Sequence, residues 1–236
     1  ERKNPGGHLT SDCRGNLKIF MDEFKKKHGL ELRVGTEPEM MWLTKNPDGT
    51  PTGKGFSKPF CYHIDQFESL RPVFMKVIEY ANAMGLDMIQ GDHEDAPGQL
   101  ELNWTFDNVM RNADRLSTYR QICAQVAREH GLIACFMTKP FMGVSASGCH
   151  TNMSLWKGGK VSVNKLGHKS LPGVEEVFSY VSGGKNTFMP DTKDPQLPGK
   201  IGLQSIAGIM KHLPALTALG SSTVNSYRRL WDQGFW

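Results

Sequence analysis

Between Leu30 and Leu43 the chain alternates with a period of two, and this alternation constrains the fold more than any other stretch. Successive side chains of a β-strand point to opposite faces. Leu32, Val34, Met40 and Trp42 therefore share one face, while Glu37 and Glu39 share the other, about 6.5 Å apart along the strand. A strand divided this way needs an apolar layer on one side and a setting that tolerates two neighbouring carboxylates on the other. Like charges at that spacing repel unless solvent or a cation lies between them. Val34-Gly35-Thr36-Glu37-Pro38-Glu39 is then either a solvent-facing strand with surface glutamates or one wall of a cation site.

Segments of helical period supply the apolar layer. Leu17, Phe20, Met21 and Phe24 recur at a spacing of three to four and Gly29 follows, which predicts a helix over 12–28. Leu70, Val73, Phe74, Val77, Ile78 and Ala81 predict another over 69–84, with Pro72 in its first turn, where a missing N–H does no harm. A long helix over 107–130 begins at Asp107 or Asn108 and stops at Gly131. Residues 201–219 read as a further core helix closed by Gly220. Strands are expected over 86–94, 99–104, 132–137 and 148–156, with 44–60 a loop rich in Gly and Pro. Residues 157–200 read as irregular, with a short helix near 174–181. Strands followed by long helices, without regular βαβ alternation, imply an α+β fold with an antiparallel sheet.

Composition mainly excludes. With 39% hydrophobic and 22% charged residues the chain is of ordinary globular type, and no apolar run approaches the roughly 20 residues that span a bilayer. The net charge of +4 is mild and the basic residues are interleaved with acids, so neither a nucleic-acid nor a membrane partner is expected. Lys25-Lys26-Lys27 sits at a helix end, where the dipole favours cations. Five scattered cysteines without a Cys-x-x-Cys pair read as free thiols in a reducing, cytoplasmic setting. The start, Glu1-Arg2-Lys3-Asn4-Pro5, resembles no secretory signal and lacks a methionine, so residues upstream are expected.

Three more segments carry polar groups on one face of a strand or helix. In His93-Glu94-Asp95-Ala96-Pro97-Gly98-Gln99-Leu100-Glu101 the Pro-Gly turn sets Glu94 across a hairpin from Glu101. Gln99, Glu101 and Asn103 then share a face, a polar-out hairpin being the alternative. In 139–155 the small residues from Gly143 to Gly148 allow backbone to approach a ligand closely and lead into a strand with His150, Asn152 and Ser154 on one face. His150 is either a hydrogen-bonded structural residue or a ligand. Together with Glu37, Glu39, Glu94 and Glu101 it makes an oxygen-dominated set that suits Mg²⁺ or Mn²⁺ better than a structural zinc. Last, Asn225-Ser226-Tyr227-Arg228-Arg229-Leu230 places an arginine pair after a helix, either to grip a carboxylate in bidentate fashion or as solvated surface.

These four segments, in this order, resemble the glutamine synthetase family. The family's Glu-Pro-Glu strand matches 37–39, and its His-Glu and Pro-Gly-Gln-x-Glu hairpin matches 93–101 without a gap. Its Lys-Pro, Gly-rich, Ser-Gly-x-His-x-(His or Asn)-x-Ser-Leu segment matches 139–155. Its Asn-Ser-Tyr-(Lys or Arg)-Arg-Leu matches 225–230. The resemblance covers nearly the whole chain and implies a curved antiparallel sheet, nearly half a barrel, backed by helices. It also implies two cation sites. Glu39, Glu94 and Glu101 would hold the metal next to glutamate and its attacking amine, and Glu37 and His150 the metal on the ATP phosphates. Arg229 would grip the substrate's α-carboxylate, with Glu94 and Arg229 the catalytic pair. Ser145, Ala146 and Gly148 would contact glutamate, and Asn152 and Ser154 the nucleotide. The implied reaction is ATP-dependent joining of ammonia to glutamate through γ-glutamyl phosphate, in a homo-oligomeric ring.

The chain departs from the family pattern in three ways. Ser145-Ala146 stands where the family usually has Asn-Gly, which leaves an alkyl or aryl amine open in place of ammonia. Residues 157–200 look longer than the matching link in common bacterial members. The family's small N-terminal sheet domain and its later glutamate-bearing flap, phosphate-binding arginines and third ligand to the ATP-side metal have no counterpart in these 236 residues. The chain is expected to be part of a catalytic domain, and inactive by itself. A non-catalytic relative would be expected to have lost metal ligands, and all five that this stretch could contain are present. A two-metal hydrolase, the remaining reading, would need no ATP.

Overall fold

The computed structural model describes residues 9–53, 61–163, 179–190 and 194–231. Its elements run α1 (Cys13–His28), β1 (Leu30–Lys45), β2 (Pro51–Thr52), α2 (Ile64–Ser69), α3 (Arg71–Ala83), β3 (Met88–His93), β4 (Gln99–Trp104), β5 (Asp107–Asn108) and α4 (Val109–Glu129). After these come β6 (Ile133–Cys135), β7 (Cys149–Lys157), β8 (Lys160–Val163), β9 (Ser179–Ser182), β10 (Lys185–Asn186), α5 (Lys200–Gly220) and α6 (Val224–Trp231). The pairings are antiparallel, as the α+β reading requires. The chain divides into two compact units.

The unit formed by Gly35–Thr105, Arg115–Thr151 and Ile209–Trp236 holds the larger core. Here β1 pairs with β4, Glu39 opposite Glu101 and Met40 opposite Leu100, and with β6, Trp42 opposite Ala134. In turn β4 pairs with β3, Asp92 opposite Glu101. Period-two geometry sends Met40, Trp42, Leu100, Leu102 and Trp104 to one face, where α3 and α4 cover them with Val73, Phe74, Val77, Tyr119, Cys123 and Val126. Helix α3 starts with proline in its first turn, and Gly85 follows at φ 78°, a left-handed conformation that costs glycine little. A smaller cluster of Met41, Leu43, Ala96 and Cys135 lies apart from this core.

The polar face of β4 is not open to water. All six residues from Gln99 to Trp104 are buried, including Glu101 and Asn103, so the polar-out hairpin is excluded. Burying a carboxylate is costly unless other groups compensate, and this cost marks the strand as more than scaffold.

The other unit, Glu1–Val34, Phe106–Asp114 and Asn152–Gly208, is organised around an arginine. Arg33 is buried, with its guanidinium 4.2 Å from the centre of the Trp156 ring, and Trp156 stacks in turn on Phe106. Arg33 pairs with Asn108 along β1 and β5. Helix α1 is capped by Asp12, whose carboxylate accepts the Arg14 N–H, and ends on Gly29 at φ 65°. Its apolar stripe is only half-buried, Phe20 being exposed.

Three expectations change. The helix over 201–219 forms as α5 but is not core: of its residues only Gly202 is buried, and Met210, Leu213 and Leu219 are exposed. The short helix near 174–181 lies partly outside the described residues, and its described end is strand β9, paired with β8. The arginine pair follows helix α5, as expected, but lies inside a further short helix, α6. Near the start of α4, Asp107 and Asn108 form β5 before the helix, and Asn108 Oδ1 then caps it by accepting the Arg111 N–H at 3.0 Å.

Leu100→Ala removes a fully buried side chain from the larger cluster. It should cost about 2–5 kcal/mol, read as a shift in urea midpoint; a loss below about 1 kcal/mol would contradict this placement of the core.

Candidate active site

The β1–β4 register alone brings carboxylates from two motifs together, since Glu39 and Glu101 stand directly opposite on the face away from α3 and α4. The turn after β3 adds the next. Gln99 N–H bonds to the Ala96 carbonyl at 2.9 Å and Glu94 N–H to the Gln99 carbonyl at 3.0 Å, with Gly98 in a left-handed conformation at φ 70°. Glu94 and Asp95 are thereby held at the mouth of the β3–β4 hairpin. A cavity of about 510 Å³ opens there, walled by Glu39, Glu94, Asp95, Ser145, Ala146, His150 and Arg229, with Cys61, Tyr62, Gln99 and Leu230 completing it.

Glu39 is the most heavily engaged of these groups. Its Oε2 accepts the Gly148 N–H at 2.8 Å and Gln99 Nε2–H at 3.1 Å, and its Oε1 lies 3.0 Å from His150 Nε2. A Cβ at Gly148 would sit 2.7 Å from His150 Nε2 and 2.8 Å from Glu39 Oε1, so any larger residue would displace these two side chains. Gln99 is 1% exposed and ties three segments together. Its Nε2 also donates to the Ala146 carbonyl at 3.0 Å, and its Oε1 accepts the Ala96 N–H at 2.8 Å. The Ser145 hydroxyl donates to Asp95 Oδ2.

Negative charge is crowded here. Burial pushes the Glu94 carboxyl up to about 8, and the carboxylates of Glu39, Glu101, Asp92 and Asp95 push in the same direction. Glu101 is raised by burial too, helped by Glu37 and Glu39 and opposed by the hydrogen bond it accepts from Asn103 Nδ2 at 2.7 Å. Tyr62 is raised chiefly by Glu94. Arg229, half-buried in the cavity wall, makes no ion pair with any of these acids among the described residues.

An excess of buried carboxylate with raised protonation is what a divalent cation would relieve, and oxygen donors with one imidazole suit a hard metal such as Mg²⁺ or Mn²⁺. In donor chemistry the residues fit. As the side chains stand, however, no three His, Cys, Asp or Glu among the described residues are grouped closely enough to hold an ion, and Glu39 and His150 are in contact with each other.

Of the expected residues, then, Glu39, Glu94, Ser145, Ala146, His150 and Arg229 share one cavity, and Gly148 supports its wall. Glu101 and Glu37 do not line it but lie within reach of its charges. Asn152 and Ser154 belong to the other unit, where Ser154 Oγ accepts the Trp156 indole N–H at 2.8 Å. Residues given no role beforehand are Asp95, Gln99 and Asn103. Gln99 and Asn103 were visible on the polar face of β4; the place of Asp95 depended on how the turn closed.

Three comparisons place the chain among known proteins. The family model described as glutamine synthetase, catalytic domain, matches residues 10–236. A glutamine synthetase of Rhizobium leguminosarum bv. phaseoli is 36% identical over 86% of this chain and 41% of its own length. A glutamate–methylamine ligase of Methyloversatilis universalis is 31% identical over 93% of this chain and 44% of its own. The chain thus spans less than half the length of these relatives. Among solved structures, apo GmaS without ligand superposes with a TM-score of 0.73 at 30% identity, over 92% of this chain and 45% of that one. A Plasmodium falciparum glutamine synthetase does so at 0.74 and 22% identity, over 96% and 45%, a likeness of fold.

The raised Glu94 carboxyl makes stability depend on pH in a definite direction. Below 4.5, its ordinary value, the group is protonated in folded and unfolded chains alike. Between 4.5 and about 8 the unfolded chain ionises while the folded one keeps its proton, so rising pH favours unfolding. In chelator, the unfolding free energy of the wild type should therefore fall across this window more steeply than that of Glu94→Gln. Parallel curves would show that Glu94 is not held protonated by its surroundings.

Proposed function

The chain belongs to the glutamine synthetase family by its catalytic domain, and from this premise we propose that the protein is an ATP- and divalent-metal-dependent ligase that forms a γ-glutamyl amide from glutamate and ammonia. The carrying observation is that groups from four separate sequence segments, Glu39, Glu94, His150 and Arg229, line one cavity. Ser145-Ala146 in its wall and the likeness to a glutamate–methylamine ligase favour a second reading, with an alkylamine in place of ammonia.

In this proposal Glu39, Glu94 and Glu101 hold the cation beside glutamate, and Glu37 and His150 the cation on the ATP phosphates. When bound, such cations neutralise the charge that gathers as the γ-carboxylate meets the γ-phosphate. The protein's own groups do the rest. Arg229 offers a planar fork of donors that matches the α-carboxylate, and among the described residues no ion pair occupies it. The Gln99 amide holds Glu39 and the Ala146 carbonyl at a set separation, so the metal side and the glutamate side of the cavity keep their spacing. Asn103 fixes the Glu101 carboxylate, and its removal should be felt through that ligand. The 3.0 Å contact between His150 and Glu39 has to open for the two to serve separate cations. Assembly as a homo-oligomer belongs to the same proposal.

Glutamate-dependent release of phosphate from ATP by the full-length protein, measured with ammonia, methylamine and a larger amine in turn, tests the reading. Turnover is expected only with glutamate, Mg²⁺ or Mn²⁺ and one of the amines present. Glu101→Ala should lower it roughly hundred-fold or more while the protein stays folded. Metal-dependent hydrolysis that needs no ATP, or normal turnover in the Glu101→Ala variant, would overturn it.

A further inference from the structure

Asn225 closes its carboxamide on both polar groups of one backbone residue. Its Oδ1 accepts the Lys139 N–H at 2.6 Å and the Thr138 hydroxyl at 3.0 Å, and its Nδ2 donates to the Lys139 carbonyl at 2.6 Å. A side-chain amide that takes the N–H and the C=O of the same residue acts like a neighbouring strand and resists movement in either direction.

The two ends of this clamp lead to different walls of the cavity. On one side Arg229 follows Asn225 by four residues in α6, on the same helical face. On the other, Lys139 is fully buried and its ammonium donates to the carbonyl of Val144, immediately before Ser145 and Ala146. The Ser147 N–H bonds back to the Thr138 carbonyl at 2.8 Å and closes the loop. The start of α6 is secured as well, with the Ser226 N–H on Thr223 Oγ1 at 3.2 Å and the two hydroxyls 3.0 Å apart. Arg229 has no ion partner of its own among the described residues, so its place depends on the helix that carries it.

We propose that Asn225 is a positioning residue for substrate carboxylate recognition, locking α6 to Lys139 and so setting Arg229 against the Ser145–Ala146 loop. The inference rests on the reading of Arg229 as the group that grips the α-carboxylate of glutamate. Bidentate pairing depends on orientation as well as charge, and a misplacement of about 1 Å can cost on the order of a hundred-fold.

In the full-length protein, the test compares Asn225→Ala, Arg229→Gln and the double variant in steady-state kinetics, with Mn²⁺ affinity and thermal unfolding measured alongside. Asn225→Ala should raise the KM for glutamate roughly tenfold or more, while the KM for ATP and the Mn²⁺ affinity stay within about twofold. Added to Arg229→Gln, it should raise the glutamate KM no further, because a residue that acts through another loses its effect when that other is gone. Asn225→Asp, which keeps the acceptor for the Lys139 N–H but sets an acid against the Lys139 carbonyl, should fall between and keeps the question open to measurement if the alanine variant does not fold. Independent, multiplying effects of the two substitutions, or a lowered melting temperature with an unchanged glutamate KM, would overturn the proposal. An Arg229→Gln variant with an unchanged glutamate KM would instead overturn the assignment of Arg229 beneath it.

Discussion

The pairing of Glu39 with Glu101 across β1 and β4 is the constraint on which the site depends. Directly opposed residues of antiparallel strands have their Cβ atoms about 4.5–5.5 Å apart, and like charges there destabilise the pair. The register is nonetheless compelled, because a slip of one residue would turn Met40, Trp42, Leu100 and Leu102 away from the helices and the carboxylates toward them. The apolar core thus enforces an electrostatic conflict that the strands would not adopt by themselves. Its signs are local: the Glu94 and Glu101 carboxyls are both raised, and Gln99, Gly148 and Asn103 each donate a hydrogen bond to a carboxylate oxygen.

These donors explain how the site exists before any cation reaches it. An uncompensated buried carboxylate would be expected to swing outward or unfold its strand. Glu39 has three partners instead, one of them His150, whose imidazole it would release on binding metal. The same side chains can therefore be satisfied in two ways, by each other or by an ion. That accounts for a donor set of suitable chemistry that is not gathered into a cage.

How much of this was legible in the sequence follows from the periodicities involved. The strand at 30–43 and the helices over α3 and α4 were plain, because each has an apolar face that the fold does bury. The hairpin across the Pro-Gly turn was equally open to reading, but its register was not: Asp92, not Glu94, stands opposite Glu101, and Glu94 meets Gln99. Burial of Gln99, Glu101 and Asn103 was not, since alternation assigns polar residues to a face without saying whether that face meets water. The error at α5 is of the opposite kind: its apolar stripe predicted core, yet Leu213 and Met210 are exposed, because amphipathicity records that a face is apolar and not what covers it. The contact of Asp95 with Ser145 and the clamp of Asn225 on Lys139 join residues 50 and 86 positions apart in the chain, and no local pattern carries that.

Loop closure also limits what Ser145 can do. A serine hydroxyl has a single proton, and here it is committed to Asp95 Oδ2. Toward a ligand in the cavity the hydroxyl can then only accept, so it can meet an ammonium or an amide N–H but cannot donate to a carboxylate. The neighbouring carboxylates of Glu39 and Asp95 are barred from that task by charge, and Glu94 can donate only while it keeps its proton. Among the charged and hydroxyl-bearing walls of the cavity, Tyr62, His150 and Arg229 remain as donors toward an anionic group, and of these Arg229 carries positive charge whatever the protonation state of His150. Recognition of an amino acid's carboxylate would then fall largely on one guanidinium, and the geometry of α6 becomes as important to the site as the chemistry of its arginine.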